Sequence, residues 1–178
     1  MNPREHVITA SKRLADCLRE QASTLTTIES CTGGMVGASI TAIPGSSSFY
    51  PGGLVTYSNR LKHELAGVSN ETLAAHGAVS PQTAVEMARG GRACIGADYA
   101  ISITGVAGPD GGSEEKPVGT VWICIVGPNE SIDCRRFQFP GDRERVRTWS
   151  CMHAIEMAIQ AVMGEKEELA HEAERSEA

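Results

Sequence analysis

What most limits the folds open to this chain is that short β-branched runs alternate with helical stretches in its first half, then follow one another directly in its second. From about Pro3 to Ala22, Val7, Ala10, Leu14 and Cys17 recur at three- and four-residue steps, with Ile8 and Leu18 widening the stripe, which predicts an amphipathic helix. Leu25 to Glu29 is short and rich in Thr and Ile, a strand signature, and Thr32 is placed to cap a helix running from Gly33 toward Pro44. After a polar turn at Gly45 to Ser48, Leu54 to Tyr57 reads as a strand bounded by Gly52 and Gly53, followed by a helix from about Asn59 to Ala66. Ser69 opens another helical turn that Gly77 ends. Ser80 with Pro81 behind it opens a further helix to about Ile95. Three strand-like stretches follow, about Asp98 to Thr104, Val118 to Val126 and Ile132 to Phe139, the last two joined by a Gly127-Pro128-Asn129 turn that predicts an antiparallel hairpin. Asp142 then caps a long helix with Val146, Trp149, His153, Met157 and Ala161 on one face. Strands alternating with helices and then pairing through a short turn predict an α/β fold: a single-domain α/β/α sandwich with a mixed sheet covered by helices. The chain shows no internal repeat and no interior linker.

The 178 residues suit one domain, long enough to bury on the order of 70% of the unfolded surface. Net charge is −6, but much of the acid lies after Gly164, where Glu165, Glu167, Glu168, Glu172, Glu174 and Glu177 face only Lys166 and Arg175. Residues 1–164 are therefore expected to form the domain, and 165–178 an acidic tail, a frayed helix or disordered. The remaining body is near neutral and offers no broad positive field for polymeric nucleic acid, whereas a nucleotide monomer remains compatible. No apolar run approaches the roughly 18 residues of a membrane span, and no signal peptide opens the chain, so no membrane association and a cytoplasmic location are expected. The six cysteines include no Cys-x-x-Cys pair and no His at ligand spacing, which favours reduced, mostly buried thiols over a metal site. A homo-oligomer is the base-rate expectation for a small enzyme of this kind.

Three segments carry possible chemistry. In Glu29-Ser30-Cys31-Thr32-Gly33-Gly34 two candidate nucleophiles stand where a strand hands over to a helix, whose free N–H groups and partial positive charge suit a phosphate or an oxyanion. A Ser or Thr cap followed by Gly is also an ordinary structural device. One of Ser30 and Cys31 must face the core, and Cys is the type more often buried, so Ser30 is the favoured nucleophile. No His occupies an obvious triad position, and the chain has four lysines. In Tyr57-Ser58-Asn59-Arg60-Leu61-Lys62 the lysine follows the cap by one helical turn, so Tyr57 and Lys62 can face one sheet edge, with a desolvated Lys62 as base and the Tyr57 phenol as relay. A solvated Lys62 and a half-buried Tyr57 fit the same spacing. The third segment, Thr104 to Gly112, is rich enough in Gly to close backbone amides on an anion, yet lacks P-loop and dinucleotide signatures. Lys116 is either a phosphate contact or a surface charge. His76 and His153 read as a loop and a packed helix histidine rather than ligands.

Taken together, Glu29-Ser30-Cys31-Thr32-Gly33-Gly34, Pro44-Gly45-Ser46-Ser47, Val55-Thr56-Tyr57-Ser58-Asn59, His76-Gly77-Ala78-Val79-Ser80, Thr104-Gly105-Val106-Ala107-Gly108-Pro109, Lys116-Pro117-Val118-Gly119-Thr120 and Phe139-Pro140-Gly141-Asp142-Arg143 resemble the CinA C-terminal domain family, from about residue 5 to 165. The resemblance implies hydrolysis of nicotinamide mononucleotide to nicotinate mononucleotide and ammonia, without metal or organic cofactor. It implies Ser30 as the catalytic centre with Tyr57 and Lys62 beside it, and Thr104 and Gly105 lining the pocket. Thr32, Gly33, Gly34 and Gly108 are expected to supply backbone contacts, and Lys116 or Arg143 to grip the phosphate. Asp110 stands where relatives often have a small residue. A non-catalytic nucleotide-binding module and an amidase for another small amide are the alternatives to this reading.

Overall fold

The computed structural model describes residues 3–176, with side-chain surroundings described for residues 5–164. Helix α1 (Pro3–Glu20) buries Val7, Ala10, Leu14, Ala15 and Leu18 on one stripe, as its three- and four-residue spacing requires. All five residues of β1 (Leu25–Glu29) are buried, and so are the first six of β3 (Tyr99–Gly105). These strands lie in the middle of a five-stranded sheet and are covered on both faces, which removes the alternation a half-exposed strand would show. By contrast β5 (Ile132–Gln138), at one edge, has no fully buried residue.

The sheet order is β2-β1-β3-β4-β5, with β2 (Gly52–Val55) and β4 (Thr120–Val126) completing it. β1 runs parallel to both β2 and β3; β3–β4 and β4–β5 are antiparallel, so the sheet is mixed as expected. Helices α2 (Met35–Thr41) and α6 (Arg143–Ser176) join α1 on one face around a core of Leu14, Leu18, Ile101, Ile103, Ile123 and Ile155. On the other face α5 (Pro81–Ile95), with α3 (Asn59–Ala66) and α4 (Asn70–His76), closes over Ile28, Ala66, Met87, Ala100 and Cys124. The expectation of a frayed tail over 165–178 falls outside the described side chains.

Two connections run in opposite senses: from β1, α2 leads to β2 along one face, and from β2, α3 to α5 lead back across the other face, past β1, to β3. Such a reversal opens a crevice at the carboxyl ends of the parallel strands. Ser30 follows β1 there, Thr56 follows β2, and Thr104 and Gly105 end β3. Several strand ends shift by one or two residues from expectation: β2 stops at Val55, after which Thr56 keeps its N–H on the Glu29 carbonyl and Tyr57 turns outward. One capping expectation is overturned. Thr32 does not cap α2; Gly34 stands at the cap position in the left-handed region, and the Glu29 carboxylate accepts the N–H groups of Gly34, Val36 and Gly37. A buried carboxylate receiving three helix-terminal N–H groups satisfies them more strongly than a hydroxyl accepting one.

Candidate active site

Ser30 and Lys62 meet at the end of β1. Lys62 Nζ lies 2.9 Å from Ser30 Oγ, and the lysine is only 1% exposed, so the contact forms away from bulk water. Helix α3 aims the amine: the Ser58 hydroxyl caps it by accepting the Leu61 N–H, and one turn later Lys62 points back toward the sheet. Its Nζ also donates to the carbonyl oxygens of Thr56 at 2.9 Å and Tyr57 at 3.3 Å. Burial lowers the Lys62 pKa from the ordinary lysine value, against a smaller opposing pull from Cys31. On the serine's side, the Ser30 N–H donates to Ile103 O, and Gly33 N–H donates to Ser30 O. The turn after β1 is thereby pinned between β3 and the Glu29-capped helix.

Cys31, the rival nucleophile, packs into the core at 5% exposure, and burial pushes its thiol up to about 12. At neutral pH it holds its proton and lacks thiolate character. The same geometry puts the Tyr57 phenol on a different partner from the Ser30–Lys62 pair. Lys62 touches Ser30 directly, while Tyr57 serves Lys62 through its backbone carbonyl and leaves its ring 58% exposed at the rim. The Tyr57 hydroxyl there accepts from Arg143 Nη2 at 3.0 Å, and Arg143 Nη1 donates to the Gly108 carbonyl.

A cleft of about 190 Å³ opens over this pair, lined by Ser30, Tyr57, Lys62, Thr104, Gly105 and Arg143, with Cys31, Asn59, Ala78, Val79 and Ala107 completing the wall. Larger hollows exist, such as the apolar one of about 350 Å³ between α1, α2 and α6, where the Ser39 hydroxyl is spent on the Met35 carbonyl within its own helix. Thr104 Oγ1 donates to the Ala78 carbonyl, tying the end of β3 to the segment before α5. Gly105 admits no side chain, because a Cβ there would meet the Thr120 carbonyl at 2.7 Å.

Five of the expected binding residues, Thr32, Gly33, Gly34, Gly108 and Lys116, are not among those lining the cleft, although Gly108 supports it by giving its carbonyl to Arg143. Gly33 and Gly34 spend their N–H groups on Ser30 O and on Glu29, so the α2 terminus is filled from within rather than open to an anion. Thr32 is fully buried, its carbonyl accepting from Arg147. Lys116 places its Nζ 2.8 Å from the His76 carbonyl at the end of α4, so of Lys116 and Arg143 only Arg143 lines the cleft. Sequence reasoning assigned no role to Glu29, Thr56, Ala78 or Val79; only Glu29 left a signal, an acid at the end of a buried strand just before a glycine-led helix. His76, expected in a loop, is exposed on the last turn of α4, and His153 stacks on Phe139 and tilts against Phe137 in the packing beneath α6. Among the described residues, no three His, Cys, Asp or Glu side chains gather into a metal-holding group, and no helix is long and apolar enough to cross a membrane.

The model of the CinA C-terminal domain matches residues 8–162. The chain is 50% identical over 146 residues to the nicotinamide-nucleotide amidohydrolase PncC of Escherichia coli strain K12, covering 82% of this chain and 88% of that one. It is 51% identical over 144 residues to the CinA-like protein of Citrifermentans bemidjiense, a longer protein of which the match spans 34% while covering 81% of this chain. Among solved structures, the competence/damage inducible protein CihA of Agrobacterium tumefaciens superposes with a TM-score of 0.86 at 37% identity, over 88% of this chain and 95% of that one. The matched span takes in every residue of the cleft, and the chain belongs to the CinA C-terminal domain family.

Proposed function

We propose that this protein is an amidohydrolase that converts nicotinamide mononucleotide to nicotinate mononucleotide and ammonia, with Ser30 as nucleophile and Lys62 as its base. The observation that carries the reading is the buried 2.9 Å contact between Lys62 Nζ and Ser30 Oγ. The nicotinamide-nucleotide amidohydrolase PncC of Escherichia coli, at 50% identity, supplies the substrate. In its neutral form the lysine has two N–H groups and one lone pair. The Thr56 and Tyr57 carbonyls take the two N–H groups, which turns the lone pair toward the Ser30 hydroxyl. Ser30 O–H then donates to the amine, and Oγ adds to the amide carbon as the proton moves to Lys62. The resulting ammonium returns that proton to the amide nitrogen as the C–N bond breaks and ammonia leaves. Water repeats the addition on the Ser30 ester, again through Lys62, and frees the carboxylate.

The oxyanion needs a donor that the helix terminus does not offer, and Gly105 supports that role. Val106 N–H donates to Thr120 O, so in the antiparallel β3–β4 ladder the Gly105 N–H is turned away from β4, toward the end of β1 and Ser30. At about 190 Å³ the cleft falls below the 300 Å³ or so of a site that encloses a whole drug-sized ligand. It suits the amide-bearing ring, with the ribose phosphate reaching out to the rim where Arg143 stands.

Ammonia release from nicotinamide mononucleotide, followed by a coupled assay, tests the assignment. Ser30→Ala is expected to lose at least about 10⁴-fold in rate, while Cys31→Ala keeps most of it. The reverse pattern would move the nucleophile to the thiol. Binding of the nucleotide with no ammonia from any pyridine nucleotide would make the protein a binding module instead.

A further inference from the structure

The β4–β5 ladder places Cys124 directly opposite Cys134. Neighbouring bonds fix which kind of pair this is. Phe139 N–H donates to Gly119 O and Gly127 N–H donates to Ser131 O, so both of those opposed pairs are of the hydrogen-bonded type. Stepping along the same register from either one, the type alternates, and Cys124–Cys134 falls on a non-hydrogen-bonded position. That is the narrow kind of pair, with Cα atoms about 4.5 Å apart and side chains at their closest. A disulfide accepts Cα separations of about 4.4–6.8 Å, so the backbone is already at bridging distance.

Both side chains lie on the sheet face covered by α5. Cys124 is fully buried, whereas Cys134 is half-buried on the edge strand with its sulfur 4.0 Å from the Pro81 carbonyl. The two thiols are unequal. A hydrogen bond from Cys124 to the Cys134 sulfur holds the Cys134 pKa below the usual thiol value and drives that of Cys124 up. A half-buried edge-strand thiol of lowered pKa beside a second, buried one is the arrangement of a peroxide-reactive cysteine with its resolving partner. Cys31 and Cys151 lack it: both are buried and their thiols are pushed up to about 12.

We infer that Cys124 and Cys134 are a covalent modification site, a cross-strand dithiol that a small peroxide converts reversibly to a disulfide. The Cys134 sulfur attacks one peroxide oxygen; an S–O bond forms, the O–O bond breaks and water leaves, so that sulfur is oxidised to the sulfenic acid while the peroxide is reduced. The Cys124 sulfur then attacks the Cys134 sulfur, forming S–S and breaking S–O, and the departing hydroxide takes the Cys124 proton as a second water. Dithiothreitol restores both thiols by exchange. The product ties the edge strand to β4 on the face that supports the first turn of α5.

The test uses the full folded chain with the exposed Cys94 replaced, Cys94→Ser, so that an unrelated surface thiol does not obscure the count. Hydrogen peroxide is expected to remove two of the five remaining thiols and to yield a single Cys124–Cys134 cross-linked peptide by mass spectrometry, both reversed by dithiothreitol. Adding Cys134→Ser abolishes the cross-link and the paired loss. Adding Cys124→Ser, or Cys124→Ala should the buried hydroxyl unfold the chain, leaves a Cys134 sulfenic acid that dimedone traps. Retention of all five thiols in the folded chain, or a cross-link that forms only after denaturation, would overturn the assignment.

Discussion

In the proposed mechanism the chemistry turns on Lys62, whose burial fixes the sign of a pH dependence. Desolvation lowers its pKa, so the free amine, the form able to take the Ser30 proton, becomes the majority species at a lower pH than for an exposed lysine. Between that lowered value and the ordinary one, the unfolded chain binds more protons than the folded one, so folding stability rises with pH across this window. Below it the cost of burying a charge is carried in full. The activity should follow the same titration: kcat/KM rises with pH through the lowered pKa and then levels. Lys62→Met should lose about 10²–10⁴-fold in ammonia release and should flatten the pH slope of stability measured by urea unfolding. An unchanged slope would mean that Lys62 is not the group that titrates. This behaviour was only half legible in the sequence. The position of Lys62 one turn past the Ser58 cap follows from local chemistry, but its 1% exposure depends on α5 and the sheet closing over α3, which no local pattern encodes. Glu29 was hidden for a related reason: its carboxylate acts on N–H groups five to eight residues ahead, across a turn whose path is set by the left-handed Gly33 and Gly34.

At the scale of elements, the helices announced themselves through their caps. Ser58, Ser69 and Ser80 each accept an N–H three residues on, and Gly67, Gly77 and Gly96 end the helices they open. Such signals are local and survive reading from sequence, whereas the sheet order depends on pairings between distant segments and did not. The docking of α3 on α5 is one of these non-local contacts, and it holds Lys62 in place. Gly90 of α5 lies so close to the Ala66 carbonyl at the end of α3 that a Cβ there would collide with backbone, which cannot rotate aside. Gly90→Ala gains helix propensity worth about 1 kcal/mol, but displacing α3 costs about 1–3 kcal/mol, so the balance should be destabilising or near neutral. Activity is the more sensitive readout, because an error of about 1 Å in the amine's position costs about 10²-fold. Gly164→Ala, in a helix where a Cβ would meet nothing, is the control and should stabilise by the propensity term alone. Thermal unfolding and the ammonia assay read both. A Gly90→Ala protein with full activity would show that the α3–α5 approach does not set the position of Lys62.

Across the whole molecule, the cleft collects segments that the sequence keeps far apart: the turn after β1, the start of α3, the stretch before α5, the end of β3 and Arg143 at the head of α6. They come from both helical layers and from the sheet between them, so a ligand bridging them stabilises the folded state as a unit. Nicotinate mononucleotide at 100 times its Kd should add about 2.7 kcal/mol, raising Tm by roughly 2–4 °C per kcal/mol for a chain of this size. Arg143 tests which part of the ligand reaches the rim, because it lines the cleft away from the Ser30–Lys62 pair and holds both the Tyr57 hydroxyl and the Gly108 carbonyl. Arg143→Ala should weaken the Tm response to the mononucleotide and leave the smaller response to nicotinate riboside, which has no phosphate, nearly unchanged. Tyr57→Phe removes the Arg143–Tyr57 hydrogen bond while leaving the guanidinium charge, so it should spare most of the phosphate-dependent response. Equal losses for nucleotide and nucleoside in Arg143→Ala would show that the arginine shapes the cleft through its Tyr57 and Gly108 contacts rather than binding the phosphate.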